Sequence, residues 1–307
     1  MILFRAVSRL FALLLAAAML VLPGCGDNES VVEVDLSRRE KLMAPERQKT
    51  ITYAYLPQYS RTVSFQRHRA LLEYLRVTTG LPLHQVFPDT FDEHIKMVQR
   101  GEIDISYSNP FVYIQLAEAG STAFARIIEP TGTPDFSGQI ICRSDNPTIR
   151  TIEDCRGKRL IAVDPGSAGG FLFPLGLFYD HGISLGDFAE VEFAQGKQEK
   201  VVLAVHAGAY DIGTIRKGTL NVVAGMIDLS DIRILAETRP YPGWIYSARA
   251  GFDPAVTAAI AQAMFALNPD NPEHRRILDA AGMRGIIPAD DADYDPVREL
   301  VEKVGIH

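Results

Sequence analysis

The stretch whose residue types most directly suggest chemistry is Asp164-Pro165-Gly166-Ser167-Ala168-Gly169-Gly170. It follows an apolar, strand-like run, Leu160–Val163, and opens an apolar, helix-like run. A plain turn does not need so many small residues. A strand that breaks into glycines and resumes as a helix presents backbone N–H groups at the helix start, where an anion can sit. Ser167 can add a hydroxyl donor, with the amides of Ala168, Gly169 and Gly170 beside it. The same hydroxyl can instead cap the helix. A third role, nucleophile, comes from Pro165-Gly166-Ser167-Ala168-Gly169, which has Pro where the G-x-S-x-G elbow needs Gly. A hydrolase would then need an acid and a late histidine. His274 and His307 come late, and neither sits in a recognisable loop. No Gly-Lys-Ser/Thr follows the turn, so it is not a Walker loop.

Other candidates sit where strands and helices meet. Ser108 and Asn109 end a strand, and Pro110 follows; loop chemistry and a cleft position both explain the pair. Thr90 and Glu93 make a capping box, and a cap at a cleft edge can also touch a ligand. Gln198 is polar at a helix start. Arg216 follows Asp211 on "DIGTIR". Two arrangements are open: a structural ion pair, or a bidentate Arg216 on an oxyanion with Asp211 orienting it. Tyr55 and Tyr59 flank Leu56-Pro57 after a strand, as an aromatic wall or as packing. Trp244 is the only tryptophan and lies in the "RPYPGW" crossover. It reads as a core anchor. The 7 histidines are scattered without metal spacing, so neither a metal nor a cofactor is expected.

These residues must be positioned by alternating elements. "ITYAYLP" is a strand. "SFQRHRALLEYLRVTTG" is a helix with Ser64 as a candidate N-cap and Gly80 beyond its end. "LHQVF" and "IDISYSN" are strands, with a helix opening at Thr90 between them. "PFVYIQLAEAG" is a helix with Pro110 in its first turn. "GQIICRS", "RLIAVD", "EVEFA", "YDIGTI" and "IRILAE" read as later strands. "TIEDCRG", "KVVLAVHAG" and a segment from Gly169 or Gly170 read as helices. After residue 240 the pattern is mostly helical. Alternating strands and helices imply parallel sheets covered on both faces, with ligands at the carboxyl ends of strands.

The N-terminus reads separately. Arg5 and Arg9 precede an uncharged apolar run, Leu10–Leu22, which ends in "LPGC". That is a secretory signal, and its ending resembles a bacterial lipoprotein box in which Cys25 is acylated. Residues 25–49 are highly charged and read as a tether. The remainder is long enough for two ordinary lobes. A net charge of −7 argues against nucleic acid as partner. Export implies an oxidising compartment, where Cys142 and Cys155 are either a disulfide or two buried thiols.

"DPGSAGGFLFP" resembles the D-P-x-S-x-S-G-[FY]-L-x-P signature of periplasmic binding proteins for phosphonate, phosphite and phosphate in ABC transporters. "VQRGEIDISYSNPFVY", "IICRSDNPTIRTIEDCRGKRLIAVD", "QGKQEKVVLAVHAGAYDIG" and "RPYPGW" resemble further segments of that family, in its order. The resemblance spans about residues 50–250. It implies a type II periplasmic binding-protein fold. Lobe 1 would comprise residues 50–135 and 240–307, lobe 2 residues 136–239, and the signal peptide residues 1–24. It implies no catalysis. A monomer, lipid-anchored in the periplasm, would capture a small oxyanion and deliver it to an ABC permease. The family's hydroxyl-rich turn retains only Ser167 here. Its histidine falls on Gln198, and two tyrosines of some members fall on Thr90 and Ser108. The acidic pair that grips an aminoalkyl tail falls on Glu199 and Asp211. Arg216 has no counterpart in the transporter pattern. Similar D-x-G-T-x-R segments occur in periplasmic halves of sensor kinases, so a sensory partner is the alternative to a permease.

Overall fold

The computed structural model describes residues 50–306. The expected signal peptide and tether, with Cys25, and also His307 lie outside the described residues. The chain begins β1 (Ile51–Tyr55), α1 (Arg61–Thr79), β2 (Leu83–Val86), α2 (Phe91–Gln99), β3 (Ile105–Ser108), α3 (Pro110–Glu118) and β4 (Thr122–Ile128). A short β5 (Asp135–Phe136) leads to β6 (Gly138–Arg143) and β7 (Arg159–Ala162). A widened turn, Ala168–Leu172, opens α4 (Phe173–Asp180). Next come β8 (Glu190–Phe193), α5 (Gln198–His206), β9 (Ile212–Arg216), α6 (Thr219–Val223) and β10 (Ile232–Glu237). β11 (Tyr241–Pro242), β12 (Ile245–Ala248), α7 (Pro254–Phe265), α8 (Pro272–Ala281), β13 (Gly285–Pro288) and α9 (Asp295–Val304) complete it. Among the described residues no helix is long and apolar enough to cross a membrane.

Two sheets form two α/β lobes, as in the type II periplasmic binding fold. The first has the order β13-β4-β12-β3-β1-β2 and the second β10-β6-β9-β7-β8. The connections between them run side by side, because β5 and β11 pair antiparallel with Tyr241 opposite Phe136. Both sheets are mixed, where alternation alone suggested parallel ones. β12 returns from the second lobe and inserts antiparallel between β3 and β4. β13 pairs antiparallel with β4. Both strands lie in the region that reads as mostly helical. They are short, and four residues carry little periodicity.

Local signals explain most helix ends. Ser60, not Ser64, caps α1: its Oγ accepts from Val63 N at 3.3 Å. Ser64 lies inside the helix, buried. Gly80 terminates it at φ 69°. Asn109 Oδ1 accepts from Phe111 N and Val112 N at 2.9 and 3.0 Å, and Pro110 needs no acceptor. "TIEDCRG" contains only a three-residue turn, Glu153–Cys155. Its Asp154 carboxylate accepts from the amides of Arg150 and Thr151, which a helix would engage differently. Cys142 and Cys155 are free thiols buried in one apolar cluster. Burial pushes the Cys155 thiol up to about 12.

Two histidines are fully buried in the first lobe. His68 Nδ1 meets Tyr53 Oη at 2.6 Å, and His94 Nε2 meets Ser106 Oγ at 2.7 Å. Burial lowers each to about 3, with Arg67 adding to the effect at His68. The unfolded chain therefore binds protons that the folded chain refuses. Stability is complete above about pH 6.5 and is lost as the pH falls toward 3. We expect a loss on the order of 3 kcal/mol per histidine by about pH 4. Denaturant unfolding across that range checks it. His94→Gln should lose visibly less on acidification; an equal loss would clear His94 of the effect.

Candidate ligand-binding cleft

Between the lobes lies a cleft of about 830 Å³. The first lobe lines it with Gln58, Tyr59, Arg67 and Glu129, the second with Gln198, Glu199, Arg216 and Thr219. Arg216 ends β9 and reaches across. Its Nη2 donates to Glu129 Oε2 at 2.5 Å, with the two side chains 20% and 5% exposed. The guanidinium also lies 4.8 Å from the Phe136 ring centre and 5.9 Å from that of Trp244. Burial pushes the Glu129 carboxyl up, against the opposing pull of Arg216 and Arg67. Arg67, from α1, stacks 4.8 Å over Tyr59. Tyr55, Tyr107 and Trp244 form a buried aromatic group behind these charges, with centres 5.0–5.6 Å apart. Trp244 is thus the expected core anchor, placed at the hinge.

Gln198 opens α5 but its side chain serves the frame. Its Oε1 accepts from Arg216 N at 2.9 Å and Thr219 Oγ1 at 3.4 Å, holding the end of β9. Glu199 lines the cleft, and its Oε2 is buried without a partner among the described residues. Tyr59 lines the cleft wall. Ser108 ends β3, fully buried, its Oγ also unpartnered.

Other expected residues fall elsewhere. Asp211 immediately precedes β9, at the end opposite Arg216, and pairs with Arg159 at 3.0 Å. The Arg159 side chain, helped by its backbone N–H, holds the Asp211 carboxyl below its usual range. The expected Asp211–Arg216 partnership does not form, because a strand of this length separates the two. Thr90 is exposed and caps α2 through Glu93 N at 3.1 Å. Glu93 closes the box onto Asp89 N rather than Thr90 N.

The glycine turn is neither on an outer face nor on the cleft wall. Ser167 Oγ accepts from Gly170 N at 3.2 Å, as a cap. Gly166 O accepts from Asn109 Nδ2 at 3.0 Å, a direct bond between lobes. Phe91 and Val112 of the first lobe sit close against Gly166. The expected presentation of the Ala168, Gly169 and Gly170 amides to the gap is corrected accordingly. Those residues are buried where the lobes meet, and the small side chains serve close approach. A Cβ on Gly169 would stand 2.7 Å from the Phe136 ring and 3.3 Å from Arg216 Cβ. The nucleophile reading of Ser167 finds no catalytic neighbour among its hydrogen bonds. His274 is on α8, where its Nδ1 accepts from Asn268 N and its ring meets Tyr74.

Sequence reasoning missed Arg67, Glu129 and Lys197. Lys197 Nζ donates to Pro57 O at 2.9 Å and Tyr59 O at 3.2 Å, a second tie between lobes. Burial lowers its pKa. No local pattern marks these three: each gains its role from a partner 87 to 140 residues away or from the wall it joins.

A hinged pair of lobes with a charged, aromatic-backed cleft defines a two-lobed solute-binding protein. Residues 53–294 match the family described as ABC transporter, phosphonate, periplasmic substrate-binding protein, and the chain belongs to that family. The Phosphate-import protein PhnD of Mycolicibacterium smegmatis is 25% identical over 279 residues, covering 83% of this chain and 86% of that protein. A binding-protein component of an ABC phosphonate transporter from Pseudomonas aeruginosa shares the fold with TM-score 0.73 at 18% identity, over 83% and 86% of the two chains. PhnD1 from Prochlorococcus marinus (MIT 9301), solved with methylphosphonate, gives 0.74 at 15% identity, over 84% and 99%.

Gly169→Ala should destabilise the fold by about 1–3 kcal/mol, since the added methyl meets an aromatic ring in a packed seam. Denaturant titration checks it. Unchanged stability would mean that Phe136 moves aside freely.

Proposed function

We propose that the cleft captures a small phosphonate- or phosphate-like oxyanion and that the closed protein hands it to an ABC permease. Acylated Cys25 would hold the protein at a bacterial membrane. The observation that carries this reading is the Arg216 guanidinium, largely buried in the cleft, with Arg67 lining the facing wall. A planar guanidinium with several donors matches an oxyanion bidentately. Closure excludes water and strengthens each such bond. Relatives named for phosphate import and for methylphosphonate binding support the phosphorus class. No covalent step is assigned, because Ser167 Oγ serves as a cap.

Methylphosphonate or phosphate should raise the melting temperature. A ligand at 100 times its Kd stabilises the folded state by about 2.7 kcal/mol. Arg216→Ala should weaken binding by about ten- to a hundred-fold. A thermal-shift panel followed by calorimetry tests both. If carboxylates alone shift the melt while phosphorus oxyanions do nothing, the ligand class is wrong. If Arg216→Ala binds normally, Arg216 is structural.

A further inference from the structure

We infer that a second, smaller pocket at the rim of the cleft is a binding site for a small monocarboxylate. The inference does not depend on what the cleft itself takes. The pocket measures about 250 Å³, room for about eight waters at about 30 Å³ each. It lies between the loop after β1 and the loop after β2, with Lys197 of the second lobe at its side. Tyr59 lines both spaces, whereas Arg67, Glu129 and Arg216 line only the cleft.

Three side chains there are ready to donate. Ser64 is 4% exposed and lines the pocket. Its hydroxyl makes no hydrogen bond among the described residues and, unlike that of Ser108, is not sealed from solvent. Ser60, one turn earlier, accepts from Val63 N and keeps its own O–H to donate. Lys197 Nζ gives two of its three hydrogens to Pro57 O and Tyr59 O, and it forms no ion pair among the described residues. Glu199 and Asp89 act on it only from longer range. A half-buried cation without a counter-charge is costly, and a bound anion would supply one. The pocket also sits at the start of α1, whose first turn has no acidic residue. The Arg61 and Thr62 amides precede the first intrahelical bond, Ser64 N to Ser60 O, and favour negative charge.

The charges and walls of the pocket set the class of anion. Arg61 and Asp89 both line it and pair with each other at 2.5 Å, so they cancel. Lys197 is left as the one cation of the lining without a carboxylate partner. One positive charge suits one negative charge, and a dianion would set its excess against Asp89. Much of the remaining wall is aromatic or apolar: Tyr55, Pro57, Phe87 and Pro88. A short hydrocarbon body gains about 25 cal/mol per Å² against such a wall, a gain that chloride and sulfate do not have. A carboxylate head has two accepting oxygens, one for Lys197 and one for the serine hydroxyls. The occupant is then held from both lobes, because Ser60 and Ser64 belong to the first and Lys197 to the second.

The test is saturation-transfer NMR and calorimetry with butyrate on the wild type, Ser64→Ala and Lys197→Met. Butyrate should bind the wild type with a Kd of about 1 mM. Ser64→Ala should weaken it by about fivefold or more, and Lys197→Met should abolish it. The Ser64 hydroxyl bonds to nothing else among the described residues, so Ser64→Ala should melt at the wild-type temperature without ligand. That variant therefore carries the test even if Lys197→Met loosens the lobes. Chloride at equal ionic strength should compete at least about tenfold less well than butyrate does. If the wild type does not bind butyrate at about 20 mM, or Ser64→Ala binds it equally well, the rim pocket is not its site and the inference falls. If Lys197→Met keeps the wild-type affinity, the inference also falls. If chloride competes equally, the pocket takes any small anion and the carboxylate assignment is wrong. Saturating methylphosphonate should not displace butyrate; displacement would put butyrate in the cleft and overturn the inference, while leaving oxyanion capture by the cleft untouched.

Discussion

A guanidinium buried between two lobes needs a counter-charge, and much of the cleft exists to supply one. Taking an ion out of water costs several kcal/mol even after relaxation. Arg216 recovers part of this from Glu129 and part from the faces of Phe136 and Trp244. Gln198 fixes the backbone from which Arg216 projects. The partners come from different lobes: Glu129 follows β4 and Arg216 ends β9. Compensation of the charge and the separation of the lobes are therefore one variable. A rival anion that takes over Arg216 must also settle with Glu129.

That separation is set by a seam with almost no side chains. Gly138 packs on Gly169 O and Pro174, Gly169 on the Phe136 ring and Gly170 on Val163, each so closely that a Cβ would collide. Ala168 and Leu172 continue the seam into the core of the first lobe. Asn109 pins it with two functions of one side chain, its oxygen capping α3 and its nitrogen bonding Gly166 O. Lys197 ties the opposite rim to the carbonyls of Pro57 and Tyr59. α9 adds a strut, since Leu300 lies against Gly176 of α4 and Lys303 pairs with Asp180. With β5 and β11 side by side, the lobes are joined by contacts that a modest rotation can make or break, which suits capture and release.

The family turn, the strand-helix alternation and most helix ends were legible from residues 50 to 240. Each is a local event: a glycine at positive φ, a proline in a first turn, a Thr whose hydroxyl reaches the amide three positions on. β12 and β13 were not legible, because four-residue strands are defined by the strands they pair with. The site was legible only in part. Arg216, Tyr59, Gln198 and Glu199 do face the cleft, whereas Asp211 was assigned by order along the chain and lies at the wrong end of its strand.

By itself the sequence determined that small residues had to lie at the junction after β7, that Thr90 would cap one helix, and that Pro110 would stand in the first turn of another. Those outcomes depend on neighbours within a few positions, where bond geometry leaves few choices. Only the tertiary structure decided that the glycines pack into a close seam, that Arg216 answers to Glu129 instead of Asp211, and that Arg67 lines the facing wall of the cleft. Charge pairing across 87 residues depends on where two lobes place their edges, and no local pattern encodes that distance.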